Sequence, residues 1–327
     1  MEVAFSEEQQ ELAATVRSLL AKRADSAAVR AAMTSEAGYD GELWQTLCEQ
    51  IGVAGLAIPE EYDGAGFSLL ESMIVLEEVG RSLAPSPLLS SLVTAEALLA
   101  GGTYEAKRRL LPRIAAGEVA AFAVPREPSL FADQATVLVA VTDSGLVELD
   151  PASSDPVWLP SMDQTIRLGS LDVSRGTPIG DGPAARARAE LVGAVGVAAL
   201  SAGLAARALD MTVAYSKERV QFGRPIGSFQ ALKHRMADLL VLVEMSRSAS
   251  WAASYALSID APNAEQLAHV AKSYGSDALT RIAAETVQLH GGIAITWEHD
   301  AQLVFKRAHA LAQLFGQPHR HRALIDL

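Results

Sequence analysis

The sequence predicts a mostly helical α+β chain with three parts: an all-helical domain over residues 1–118, a small, reduced β domain over 119–183, and an antiparallel four-helix bundle over 184–327. Three observations carry this. Apolar residues recur at three- and four-residue spacing in both flanking parts, the mark of amphipathic helices. Strand-like apolar runs separated by Asp, Ser, Gly and Pro fill the middle. Hydrophobic residues are 50% of the chain and aromatics only 6%, with alanine dominant, as long packed helices require.

In chain order, FSEEQQELAATVRSLLAKR at 5–23 opens with Ser6 placed to cap a helix and Gln9 placed to reach back to it. Leu12, Val16, Leu19 and Leu20 follow as one stripe. Further helices fit 41–51, 69–83, 87–100 and 104–116. Pro59, Gly64 and Gly66 interrupt the chain before Ser68, a second cap. From residue 119, VAAFAV, TVLVAVT (136–142), GLVEL (145–149) and TIRLGSLDV (165–173) read as strands. About 60 residues build a small sheet and fall short of a full dinucleotide-binding domain. Helical pattern returns at Ala184 and gives four helices, 184–217, 228–258, 263–289 and 298–314, whose short links suit an antiparallel bundle.

Charge and composition narrow the function. A formal net charge of −12 argues against general nucleic-acid binding, which needs a basic face. A few local arginines could still hold a small anion. No run of about 18 uninterrupted apolar residues suggests a membrane span. The acidic start MEVAFSEEQQELAA lacks a secretory pattern, so cytoplasmic residence is the expectation. Cys48, the only cysteine, lies in an apolar helical stretch and reads as a buried, inert thiol. His234 and His290 read as structural histidines on apolar helical faces. PHRHR at 318–322 reads as a solvated basic end without metal-ligand spacing.

Three motifs stand in order along the chain. Residues 215–238 are YSKERVQFGRPIGSFQALKHRMAD, residues 287–292 are VQLHGG, and IPEEYDGAG at 58–66 leads to VLEEVGRSLAPSP. A guanidinium at Arg219 could grip a pyrophosphate in a fixed fork. Gly223 lets backbone approach a ligand, Pro225 fixes the exit from the turn, and Gly291-Gly292 open a turn at a helix end. Together the three blocks resemble the acyl-CoA dehydrogenase family over nearly the whole chain. The resemblance implies FAD as cofactor, an acyl-CoA substrate, and electron-transfer flavoprotein or a similar acceptor. It also implies that Arg219, Gln221, Phe222, Phe229, Gln230 and the turn Gln288, Leu289, His290, Gly291 and Gly292 touch FAD across a subunit boundary, so that the bundle is an oligomer interface.

The resemblance also marks what is missing. Family members take the base that removes the α-proton from a Glu-Gly-Thr segment; the matching stretch here is Leu314-Phe315-Gly316-Gln317. Phe315 stands where that glutamate would be. Other members carry the base upstream of the arginine motif, a position that falls at Gly193. Glu190, one turn earlier, is either a substitute base or an ordinary surface glutamate. Around the flavin ring, AFAVPREPSLFAD at 121–133 replaces the family's T-E-P-x-x-G-S-D, with only Pro125 or Pro128 and Asp133 as echoes; Trp158, in DPVWLP, lies outside any W-I-T context. The chain is thus similar to the shorter subunit of bacterial α2β2 heterotetrameric acyl-CoA dehydrogenases associated with steroid-type or other bulky thioesters. GIAITWEHDAQLVFKRA at 292–308 also resembles actinobacterial members. A second, full-length acyl-CoA dehydrogenase subunit is the expected partner, and self-association with a relocated base, or a non-catalytic acyl-CoA-binding protein on the same fold, is the alternative.

Overall fold

The computed structural model describes residues 5–326. Helix α1 (Glu7–Arg23) starts as its sequence requires: Ser6 accepts from the Gln9 backbone while the Gln9 side chain returns to the Ser6 backbone. A short helix that periodicity did not reveal, α2 (Ser26–Thr34), follows; Asp25 caps it and Val29, Ala32 and Met33 are buried. Then come α3 (Gly41–Thr46), which runs into a π-turn at Leu47–Ile51, α4 (Leu69–Ser82), α5 (Leu88–Gly101) and α6 (Tyr104–Ala115). The Ser68 hydroxyl caps the start of α4 through Leu70 N. Helix α5 is buried along most of its length, in keeping with its mostly apolar sequence.

The middle segment makes two small sheets. One has strand order β1-β3-β4-β7, from β1 (Ala120–Ala123), β3 (Val137–Thr142), β4 (Gly145–Leu149) and β7 (Thr177–Gly180). The other has order β2-β6-β5, from β2 (Ser129–Leu130), β6 (Leu168–Ser170) and β5 (Val157–Leu159). β1 and β3 pair in parallel and the remaining pairs are antiparallel. β7 was not legible as a strand, and the run at 165–173 contracts to the three residues of β6. The Ser90 hydroxyl of α5 lies 2.7 Å from the carbonyls of both Ala120 and Leu130, which share its one proton, tying the helix to a strand of each sheet.

Helices α7 (Gly182–Glu218), α8 (Gln230–Ser258), α9 (Ala264–His290) and α10 (Ala301–Gln313) follow the sequence closely, and a short α11 (Pro318–Arg322) is added. α7 is long and apolar enough to cross a membrane by length and composition, but its most apolar window is buried in the core.

The chain divides into two compact units, residues 1–76 with 84–193, and residues 77–83 with 194–327. In the second, the end of α4 and the body of α7 approach backbone to backbone. A Cβ added at Gly203 would lie 1.8 Å from the Glu77 carbonyl oxygen, and one at Gly80 would lie 2.2 Å from that of Leu200. Arg247 of α8 reaches Glu77 at 3.0 Å, and Arg81 pairs with Asp210 at 2.5 Å.

Candidate flavin-contacting end of the bundle

The R-x-x-F-G stretch forms a two-residue hairpin. β8 (Val220–Gln221) pairs with β9 (Arg224–Pro225), Val220 opposite Pro225 and Gln221 opposite Arg224. The loop residues Phe222 and Gly223 have φ of 53° and 76°. Two successive left-handed residues make a type I′ turn, whose twist matches the strands it joins. Glycine adopts this freely, but phenylalanine does so at a cost of roughly 1–2 kcal/mol. That cost holds an aromatic ring 93% exposed. A strained residue presenting apolar surface to solvent in a single chain makes this turn a candidate functional position.

Arg219 precedes the hairpin. Its N–H donates to the Tyr215 carbonyl at 2.9 Å, and its carbonyl accepts from Ile226 N at 2.8 Å. The backbone is fixed at both ends. The guanidinium is exposed and makes no hydrogen bond or ion pair with another described residue. Arg224 lies 4.0 Å from the centre of the Phe229 ring, which also meets Phe222 edge-on at 6.2 Å. Phe229 begins α8 without a side-chain cap, leaving the first-turn N–H groups of Gln230 and Ala231 without a backbone partner.

The V-Q-x-x-G-G block sits at the opposite terminus of α9. Gly291 ends that helix with φ 66° and ψ −146°, a conformation reserved for glycine. A Cβ at Gly223, Gly291 or Gly292 would meet nothing within 4 Å, so both turns border open space. Gln288 is exposed; Leu289 and His290 are buried and turn into the core.

A ring cluster brings the two blocks together. Tyr215 of α7 stacks on His290 of α9 at 4.5 Å, and His299 packs on His290 at 4.6 Å. Thr212 donates to Thr286 at 3.0 Å one turn deeper. Arg207 pairs with Asp300 at 3.2 Å, and Arg235 of α8 pairs with Glu285 of α9. His290 Nδ1 lies 2.7 Å from the Thr286 carbonyl and must carry the proton there. Burial lowers the His290 pKa, with the Thr286 bond opposing and neighbouring His299 assisting, so the ring is neutral and structural. The sequence did not point to Tyr215, His299 or the stacking role of Arg224. Only their flanking positions beside the motif residues could have flagged them.

The remaining predicted positions sort as follows. Gly193 is buried on α7. Glu190, one turn earlier on the same helix, is exposed and paired with Arg186 at 2.7 Å. Phe315 is half-buried in the turn after α10, with φ 52°. Both Asp133 oxygens face Arg167 Nε, at 3.1 and 2.8 Å, which engages this family echo in a part-buried ion pair. Trp158 lies on edge strand β5, with the Arg167 guanidinium 5.6 Å from its ring centre. Cys48 is half-buried rather than buried, and desolvation raises its thiol to about 12, so it stays protonated. Two further readings need correction. His234 is exposed, with Nε2 3.2 Å from Gln230, because α8 is solvent-facing over its first turns. His321 of the basic run is buried, because α11 folds it back onto α9. Among the described residues no His, Cys, Asp or Glu cluster could hold a metal ion.

A chain with this arrangement of helices, reduced sheets and bundle-end loops belongs to the acyl-CoA dehydrogenase family. The family's N-terminal domain matches residues 6–118 and its C-terminal domain residues 177–326. Among curated relatives, acyl-CoA dehydrogenase IpdE2 of Mycolicibacterium smegmatis is 46% identical over 96% of both chains. IpdE2 of Mycobacterium tuberculosis is 47% identical over 95% of this chain and 94% of its own. Among solved structures, the Tcur3481-Tcur3483 steroid ACAD superposes with a TM-score of 0.89 at 29% identity, covering 98% of this chain and 96% of that one. The ChsE4-ChsE5 complex from Mycobacterium tuberculosis shares the fold, with a TM-score of 0.86 at 24% identity over 99% and 97%.

Proposed function

We propose that the chain is the base-lacking subunit of an FAD-dependent acyl-CoA dehydrogenase, and that it lends Arg219, Gln221, Phe222, Phe229, Gln230, Gln288 and the Gly291-Gly292 turn to a flavin seated mainly in a second, full-length subunit. One observation carries this: an unpaired guanidinium, a strained exposed phenylalanine and an open glycine turn converge at one end of the second unit. By the family resemblance, Phe315 and Gly193 would stand at the two positions where other members keep a carboxylate. The residues fit the pyrophosphate and adenosine half of FAD. Arg219 would grip phosphate oxygens, the glycine turns would admit close backbone contact, and Phe222 would cover apolar surface. When bound, FAD supplies the acceptor for the β-hydride of the thioester. The α-proton would leave to a carboxylate of the partner, because neither phenylalanine nor glycine accepts one. The IpdE2 relatives support an acyl-CoA substrate, and the likeness to the Tcur3481-Tcur3483 steroid ACAD supports a bulky, steroid-derived acyl part. A self-sufficient homomer would need Glu190 as base, and Arg186 already holds that carboxylate on the exposed face of α7.

The test compares the chain alone with the chain co-expressed with a full-length partner, by native mass spectrometry and absorbance. Alone, it should retain little FAD and show no turnover; the assembly should be yellow and reduce a dye with acyl-CoA. In the assembly, Arg219→Ala should weaken FAD retention by roughly 10- to 100-fold, the worth of charge-assisted hydrogen bonds, without changing subunit count. Full flavin content and turnover from the single chain would overturn the proposal.

A further inference from the structure

Arg219 and its hairpin leave the end of α7, and the Gly291-Gly292 turn leaves the end of α9. One pair of rings joins the two loops at their base. Tyr215, one helical turn before Arg219, stacks on His290, the residue before Gly291, with ring centres 4.5 Å apart and planes 27° from parallel. The Tyr215 carbonyl accepts from Arg219 N–H at 2.9 Å, so the residue that carries the ring also fixes the backbone of the arginine. His290 is 3% exposed, and the next N–H, that of Gly291, bonds the Val287 carbonyl.

Each ring is oriented by partners of its own. His290 Nδ1 donates to the Thr286 carbonyl at 2.7 Å, which sets the plane of the imidazole. His299 packs on His290 at 4.6 Å and meets the Tyr215 ring edge-on at 6.3 Å. Its Nδ1 accepts from Ala301 N–H at 3.1 Å, which ties this third ring to the first turn of α10. Deeper between α7 and α9, the hydroxyls of the fully buried Thr212 and Thr286 meet at 3.0 Å. Beyond the hairpin, a Cβ at Gly227 would lie 2.9 Å from the Ser216 carbonyl oxygen, so the departing chain returns against the neighbour of Tyr215. Both ends of the hairpin therefore follow the end of α7. All of these residues belong to the second compact unit.

We propose that Tyr215 and His290 are positioning residues of the cofactor site: their stack couples the Arg219 hairpin to the Gly291-Gly292 turn, so that the two loops grip a dinucleotide as one preorganised surface. His290 acts through the turn it precedes, in place of the direct contact that the resemblance implied. Loops held on separate helices would each have to be ordered at the moment of binding, and the stack removes that cost beforehand. The coupling of the loops stands by itself; its use in holding FAD rests on the reading proposed above.

The test has two arms. On the intact protein, hydrogen–deuterium exchange reads one amide in each loop: Ile226, which bonds the Arg219 carbonyl at 2.8 Å, and Thr296, which bonds the Ile293 carbonyl at 3.1 Å. Rates are referred to the amide of buried Leu204 in α7, so that global loosening cancels. Tyr215→Leu, made on the hairpin's helix, should speed exchange at Thr296 by roughly 2- to 12-fold, the worth of one aromatic pair. His290→Gln, which keeps a donor for Thr286 but no ring, should do the same at Ile226. Tyr215→Phe keeps the ring and should match the wild type. Should His290→Gln not fold, the half-buried Tyr215 position carries this arm alone. In the assembly, FAD retention is measured for Arg219→Ala, Tyr215→Leu and the double variant. The Arg219→Ala penalty should shrink in the Tyr215→Leu background by a similar factor. Thr296 exchange unchanged in Tyr215→Leu, or equally changed in Tyr215→Phe, would overturn the coupling. An Arg219→Ala penalty of the same size in both backgrounds would overturn the positioning role. No Arg219→Ala penalty at all would overturn the flavin reading and the cofactor role with it, and the exchange arm would still decide the coupling.

Discussion

Lys272 is fully buried, the largest side chain so enclosed, and burial lowers its pKa to about 8 from 10.5, with Asp277 opposing. The perturbation is Lys272→Met, which keeps volume and removes the titration. The gap of about 2.5 pH units, at 1.36 kcal/mol each, corresponds to roughly 3 kcal/mol. The sign follows from proton counting. Below pH 8 both folded and unfolded chains hold the proton, and the full cost of the buried charge is present. Between about 8 and 10.5 the folded chain has released it and the unfolded chain has not, so stability rises with pH. The assay is urea unfolding of wild type and variant at matched pH, where the difference cancels the other titrating groups. The wild type should gain about 3 kcal/mol on the variant between pH 7 and 10.5, with a slope never above about 1.4 kcal/mol per unit. A flat difference would mean that the ammonium is solvated or already neutral at pH 7. A difference that falls with pH would refute the burial argument outright.

Other perturbations test separate parts of the structure. Gly203→Ala would force a methyl carbon to within 1.8 Å of the Glu77 carbonyl; it should cost about 3 kcal/mol, seen as a lowered unfolding midpoint. Gly316→Ala meets both a left-handed φ and the His321 ring; a loss of about 2 kcal/mol and faster exchange at Arg320 and His321 are expected. Glu190→Gln breaks only an exposed pair with Arg186. It should change stability by less than about 0.5 kcal/mol and leave the turnover of the assembly intact, and abolished turnover with FAD retained would restore Glu190 as the base.

Legibility in the sequence followed the strength of the local signal. The long helices carried many turns of repeated apolar spacing, and the Ser6–Gln9 box fixed a boundary to the residue. α2 escaped because SAAVRAAMT offers nine residues of mostly alanine and too few turns to show a period. β7 escaped because TPIG is read locally as a turn, and becomes a strand only by pairing with β4. At the site, Arg219 and the Phe222-Gly223 turn were legible because backbone geometry there demands unusual residues. The stacking of Tyr215 on His290 was not, because it joins residues 75 positions apart on two helices. His321 misled in the same way: a histidine in PHRHR looks solvated until the fold closes over it. Residue type sets the price of burial, but only tertiary packing decides where burial occurs.

Neither compact unit is a continuous stretch of chain, since residues 77–83 belong with 194–327. Synthesis therefore delivers the last turns of α4 more than a hundred residues before the helix that receives them at Gly203. A fragment cut at residue 194 would expose a seam shaped for absent backbone and strand Arg247 without Glu77. Splitting this protein at its apparent joint would yield two incomplete halves, and a working dissection must carry α4 on both sides.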